Sequence, residues 1–158
     1  MIKQGVIVMS QLKKISFVEA GDYKIGTDLF KDEEHKERFE TLVNKRNQAK
    51  IDYAEVAMFF TGSFVFDGYR ALLAIYDFEN GRIAQDVNLD NLEEKIEYHC
   101  QYENTKRFLR LAVHFLDDKL VKKVDIVGLS ADLDVKNFRV AKNSLDLYFE
   151  LYKKSSKS

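Results

Sequence analysis

The chain has 158 residues, 46% hydrophobic and 32% charged, with 25 basic side chains against 26 acidic ones and a net charge of −1. That size suits one ordinary domain with a real core, and the 12 Phe and 8 Tyr exclude disorder for most of the chain. No stretch approaches the ~20 apolar residues of a membrane span, and near-neutral charge argues against a dedicated nucleic-acid binder.

Cys100 is the single cysteine, so no internal disulfide forms. Met1-Ile2-Lys3 opens on too few apolar residues for a signal peptide, and a cytoplasmic setting is the expectation. Met9 can serve as the start as well as Met1. Proline is absent where average usage gives roughly eight, which suits helices joined by Gly, Asn and Asp turns. The expected organisation is one domain: residues 1–29 as short strands or extended chain, 30–153 as a helical core, and 154–158 as a frayed tail.

Ile2, Val6, Ile7 and Val8, then Ile15 and Val18 around Phe17, are β-branched and suggest one or two short strands. From Asp32 the pattern turns helical. Acidic residues fill the first turn, and His35, Phe39, Leu42, Val43 and Arg46 share one face of a helix over 32–47. Residues 52–61 are apolar nearly all round, so this helix belongs in the interior. Asp52 is its expected cap, and Gly62 its expected left-handed stop. Ser63 is the expected cap of a third helix carrying Tyr69, Leu72, Leu73 and Tyr76. Helix followed by turn is the reading for 64–84, with a hairpin at Asn80-Gly81 as the alternative.

Residues 79–102 are the most polar internal segment, with a short helix over Asn91–Tyr98 and Leu92 and Ile96 as its buried pair. Asn104 is the expected cap of a helix over 104–117 with Phe108, Leu111, Ala112 and Phe115 in one stripe. Val124 to Gly128 is a short apolar piece. Asp134 is the expected cap of a last helix over 135–152, where Phe138, Ala141, Leu145, Tyr148, Phe149 and Tyr152 repeat at helical spacing. The fold class is therefore mainly α, a compact bundle of about five helices with a small N-terminal β element.

Leu29 to Phe39, reading LFKDEEHKERF, resembles the opening motif of a family of small uncharacterised proteins of phages and prophage-carrying Gram-positive bacteria. Tyr76 to Glu79, and Thr105 to Phe115 with Arg110-Leu111-Ala112, resemble its later landmarks. The likeness covers about residues 29–152 and departs at the long polar segment 79–102. It implies a phage or mobile-element origin and an intracellular life, and carries no catalytic positions with it.

Catalytic signatures are missing: no phosphate-binding glycine loop, no H-E-x-x-H and no G-x-S-x-G occurs. His35 can act as a base or anion contact beside Arg38, or cover the end of an apolar stripe with its imidazole half-buried. His114 has Asp117 and Asp118 one turn on, which suits a solvated face better than a metal site. His99-Cys100 are sequence neighbours, which point to different sides and so make no dyad. Asp86, Asp90 and Glu94 lack cation-site spacing. Lys106, Arg107 and Arg110 with Lys119, Lys122 and Lys123 are interleaved with Asp117, Asp118 and Asp125, which blunts a phosphate-binding field.

These observations point to a non-enzymatic intracellular binding protein with no cofactor and no metal, acting by contact with a host or mobile-element protein. The family likeness adds regulation or inhibition of a defence or repressor protein. Phe64, Phe66 and Tyr69 are the expected contact residues if exposed, joined by His35, Arg38 and Arg110. Homodimerisation through the second or third helix is a further expectation. The alternative is a small metal-dependent hydrolase or nuclease using acidic residues with His35 or His114.

Overall fold

Two short strands open the described chain. The structure, a computed structural model, describes residues 16–121, 123, 124 and 135–157. β1 (Phe17–Ala20) and β2 (Tyr23–Gly26) pair antiparallel with Val18 opposite Ile25. Val18, Ala20 and Ile25 are buried while Phe17, Glu19 and Lys24 face out, the period-two alternation of a half-buried hairpin. Gly21 turns the hairpin at φ +60°, and a Cβ there would stand 2.5 Å from the Ile51 side chain. The strand reading of Ile2, Val6, Ile7, Val8 and Ile15 lies outside the described residues.

α1 (Glu33–Lys45) starts at Asp32, whose carboxylate accepts the His35 N–H at 2.8 Å. Its inward face is the stripe expected from sequence: His35, Phe39, Leu42 and Val43, with Arg46 buried just beyond the last turn. α2 (Tyr53–Gly62) opens with a reciprocal capping box between Asp52 and Glu55, and every residue from Glu55 to Gly62 is buried. It packs most extensively against α5 (Glu103–Leu116) and then α6 (Val135–Lys157). A helix with no polar face becomes the centre of the bundle.

The end of α2 differs from expectation. Gly62 stays helical, because the only left-handed glycines among the described residues are Gly21 and Gly81. Ser63 closes α2 rather than starting the next helix: its hydroxyl donates to the Phe59 carbonyl at 2.5 Å. α3 (Phe66–Ile75) begins without a side-chain cap. A Cβ on Gly68 would lie 2.1 Å from the Gly62 carbonyl oxygen, so the absent side chain lets the two helices approach. Both readings of 64–84 hold in part. The helix ends at Ile75, and β3 (Tyr76–Asp77) and β4 (Arg82–Ile83) then form a hairpin with Gly81 at φ +69°.

α4 (Leu92–His99) buries Leu92 and Ile96 as expected. α5 starts after Tyr102, which puts Asn104 inside the first turn rather than at the cap. Asp134, and residues 125–128 of the short apolar piece, lie outside the described residues. α6 continues to Lys157 instead of fraying after 153, for no Gly or Pro stands in 153–157 to stop it. Asn143 and Arg139 of α6 donate to the Leu29 and Asp28 carbonyls at 3.0 and 3.2 Å, tying the last helix to the turn after β2. The buried apolar side chains form one cluster, and the architecture is mainly helical with a small two-stranded sheet at the N-terminal side.

Candidate protein-contact surface

His35 and Arg38 are used up by the fold. His35 is fully buried rather than half-exposed, because Phe30 and Phe60 close around its ring. Its Nδ1 accepts the Lys31 N–H at 3.0 Å, which fixes the proton on Nε2, and Nε2–H donates to the Phe60 carbonyl at 2.7 Å. Burial holds its pKa down at about 4 against the pull of the Phe60 bond, so the ring is neutral at physiological pH. Arg38 sends Nε to the Ser63 carbonyl and Nη2 to the Phe64 carbonyl, both at 2.8 Å. These bonds satisfy backbone acceptors released at the end of α2. Both ring nitrogens of His35 and two of the three Arg38 nitrogens are thus committed to backbone.

The expected aromatic trio divides. Phe64 is buried and stacks on Phe108 with ring centroids 4.0 Å apart, so it is a core residue and no contact point. Phe66, two residues on, starts α3 on the outside and is 58% exposed. Tyr69 is half-buried, 6.2 Å from Phe66 between ring centroids. The Arg70 guanidinium lies 5.8 Å over the Phe66 ring. Asp67 accepts the Gln101 N–H at 3.4 Å, which joins the start of α3 to the loop between α4 and α5. Tyr98 and Tyr102 flank that junction, 82% and 65% exposed.

Phe66, Tyr69 and Arg70 thus lie together at the start of α3, and Tyr98 and Tyr102 are the exposed rings on either side of Gln101 in sequence. This is the side-chain chemistry that dominates protein interfaces: rigid amphipathic rings and a guanidinium. The Tyr98 and Tyr102 contribution was missed in the sequence. The signal was present, since Tyr98 stands two residues beyond Ile96, on the far side of a helix whose buried pair is Leu92 and Ile96.

Arg110 is spoken for as well. Its guanidinium meets Glu93 across α4 and α5, Nη2 to Oε2 at 2.9 Å and Nε to Oε1 at 3.1 Å, and Glu103 at 3.6 Å. Lys106 pairs with Glu97 at 2.6 Å and Lys95 with Asp86 at 3.5 Å. Glu93 and Glu97 of the polar segment are thus matched by Arg110 and Lys106 of α5, which ties down these two members of the basic cluster. Lys122 lies outside the described residues.

A cleft of about 940 Å³ opens beside the start of α2, lined by Asp52, Tyr53, His114, Asp118, Lys123 and Tyr148 among others. His114 Nδ1 meets the Val121 carbonyl, an acceptor, which places the proton on Nδ1. Asp52 spends one oxygen on the Glu55 N–H. Among the described residues no three His, Cys, Asp or Glu side chains come together as a cation cage. Cys100 is buried, and burial with the Asp67 carboxylate pushes its thiol up to about 11, the condition of a packing residue and not of a nucleophile. The second helix, buried on every side from Glu55 on, offers no dimer face. No family model, no curated protein and no solved structure matches this chain.

Proposed function

We propose that the chain is a non-enzymatic protein-binding module acting through the aromatic junction of Phe66, Tyr69, Tyr98 and Tyr102. The observation that carries this reading is the exposure of Phe66 beside Asp67 and of Tyr98 and Tyr102 on either side of Gln101 in sequence, in two segments joined by the Asp67–Gln101 bond. Isolated exposed apolar side chains are ordinary, whereas a cluster of rings beside a guanidinium suits a partner surface. The partner class is a host or mobile-element protein, in keeping with the resemblance of Leu29 to Phe39 to small phage and prophage proteins. Regulation or inhibition of a defence or repressor protein, inside the cell, follows from that resemblance.

The test is capture from a bacterial lysate by the tagged chain beside Phe66→Ala and Tyr98→Ala/Tyr102→Ala. A protein held by the parent and lost from both variants, with unchanged melting temperature, supports the reading. Equal capture by all three would refute this surface. The alternative reading, a metal-dependent hydrolase, would use the cleft, where His114 keeps its Nε2 without a proton. Metal-dependent turnover abolished by His114→Ala would establish that reading instead.

A further inference from the structure

Asn80-Gly81 is the single Asn-Gly pair in the sequence, and Asn80 stands exposed in the turn between β3 and β4. Such a pair carries its own chemistry. The Gly81 amide nitrogen, once its proton has gone to water, can attack Asn80 Cγ, because glycine has no side chain to stand in the way. The new C–N bond closes a five-membered succinimide. The Cγ–Nδ2 bond breaks as its nitrogen takes up a proton and leaves as ammonia. Water then opens either carbonyl of the ring, which leaves an aspartyl or isoaspartyl residue at position 80. Amide and water have become acid and ammonia, with no oxidant and no cofactor.

In the fold both reacting groups are held by Asp77. Its carboxylate accepts the Asn80 Nδ2–H at 2.7 Å through Oδ2, and the Glu79 and Asn80 N–H groups at 3.1 Å through Oδ1. Its carbonyl accepts the Gly81 N–H at 2.8 Å. The nucleophile therefore keeps its proton in one hydrogen bond, and the amide that must leave is tied by another. The Asn80 side-chain bond, with the backbone bonds beside it, holds the Asp77 carboxyl below its ordinary pKa. An ionised carboxylate has no proton to lend to departing ammonia.

We propose that Asn80 is a site of spontaneous deamidation which Asp77 keeps closed in the folded chain, so that the modification records opening of the second hairpin. The consequence reaches the core. A carboxylate at position 80 would face the Asp77 carboxylate where an N–H donor stood, and an isoaspartyl link adds a methylene to the main chain of the turn. Gly81 has no slack to absorb this: the Arg46 guanidinium occupies the space a Cβ there would need, and Arg46 in turn holds the buried Glu55. Modified chains lose stability and open more readily. The hairpin follows α3 at the end away from Phe66, and its chemistry does not depend on a binding role there.

Peptide mapping by mass spectrometry during incubation in mildly alkaline buffer tests this. Deamidation at Asn80 should be about tenfold slower in the native chain than in the chain unfolded in guanidinium, the scale of two or three hydrogen bonds lost together. Asp77→Ala should bring the native rate to within about threefold of the unfolded one, with a circular dichroism spectrum like the parent's. Asp77→Asn keeps an oxygen for the two N–H groups but loses the charge, and its rate should fall between. Equal rates in native and unfolded parent would overturn the proposal, and so would folded Asp77→Ala or Asp77→Asn as slow as the parent. Purified modified chain should melt below the parent, and an equal melting temperature would overturn the link to Arg46.

Discussion

Arg46 and Glu55 meet at 2.5 Å, Nε to Oε2, with only 7% and 2% of their side chains exposed. The Tyr76 hydroxyl donates to the same carboxylate oxygen at 2.6 Å. Three elements are thereby pinned at one buried point: the end of α1, the first turn of α2 and the first strand of the second hairpin. Burial, reinforced by the bond to Glu55, holds the Tyr76 phenol well above the ordinary tyrosine range. Arg46→Met strands the carboxylate in the core and should lower unfolding free energy by about 3–5 kcal/mol in urea titrations. Arg46→Met/Glu55→Leu/Tyr76→Phe removes every member of the network and should recover most of that loss. A single-variant loss under ~1 kcal/mol would show that water reaches the pair.

Stability should fall in mild acid because of His35. Its pKa is about 4 in the fold, set chiefly by burial, against 6.5 for the free side chain. Below pH ~6.5 the unfolded chain takes up a proton that the folded chain refuses until pH ~4. The contribution is fully present above that window and is lost as pH drops through it. The expected loss is about 2 kcal/mol by pH ~5 and about 3 kcal/mol in all. Urea titrations near neutrality and near pH ~5 measure it. His35→Gln should be less stable at neutrality and should lose much of the slope, and an unchanged slope would assign it to other groups.

Two arginines of similar exposure should behave differently. Arg38 holds two backbone carbonyls at the end of α2, so Arg38→Ala should cost about 1.5–3 kcal/mol. Arg110 meets carboxylates that are themselves more than half exposed, and Arg110→Ala should cost under ~1 kcal/mol, less still in high salt. Thermal unfolding of both variants at low and high ionic strength separates them. A larger, salt-insensitive loss for Arg110 would contradict the assignment.

Gly68→Ala should destabilise by about 1–3 kcal/mol, because the new methyl meets the Gly62 carbonyl oxygen at 2.1 Å and backbone has little room to yield. Calorimetry should show a lower melting temperature. Helix propensity alone favours alanine over glycine by about 1 kcal/mol, so a rise would mean that α3 shifts freely.

Much of this architecture was legible. The stripe His35, Phe39, Leu42, Val43, Arg46 is a five-point helical face, and all five positions are buried. The scarcity of polar residues in 52–61 foretold that α2 lies inside. What periodicity could not convey is the depth at which the two polar ends of the α1 stripe sit. That depth depends on partners far along the chain, the Phe60 carbonyl for His35 and Glu55 for Arg46. Phe64 and Phe66 look alike in composition, yet one precedes the helix and turns in to Phe108 while the other begins it facing out. In α6 the expected stripe joins Ala141, which is buried, to Phe138 and Phe149, which are exposed. A helical period alone does not separate them.

The place of α2 at the centre has a consequence for how the chain comes into being. Translation delivers α2 long before α5 and α6, the two helices that cover it most. Phe59 and Phe60 find ring partners in chain made earlier, Tyr76 and Phe78 for one and Phe30 and His35 for the other, but the sides of α2 that pack on α5 and α6 stay open until those helices emerge from the ribosome. The native packing of α2 is therefore complete only after α6 has been synthesised.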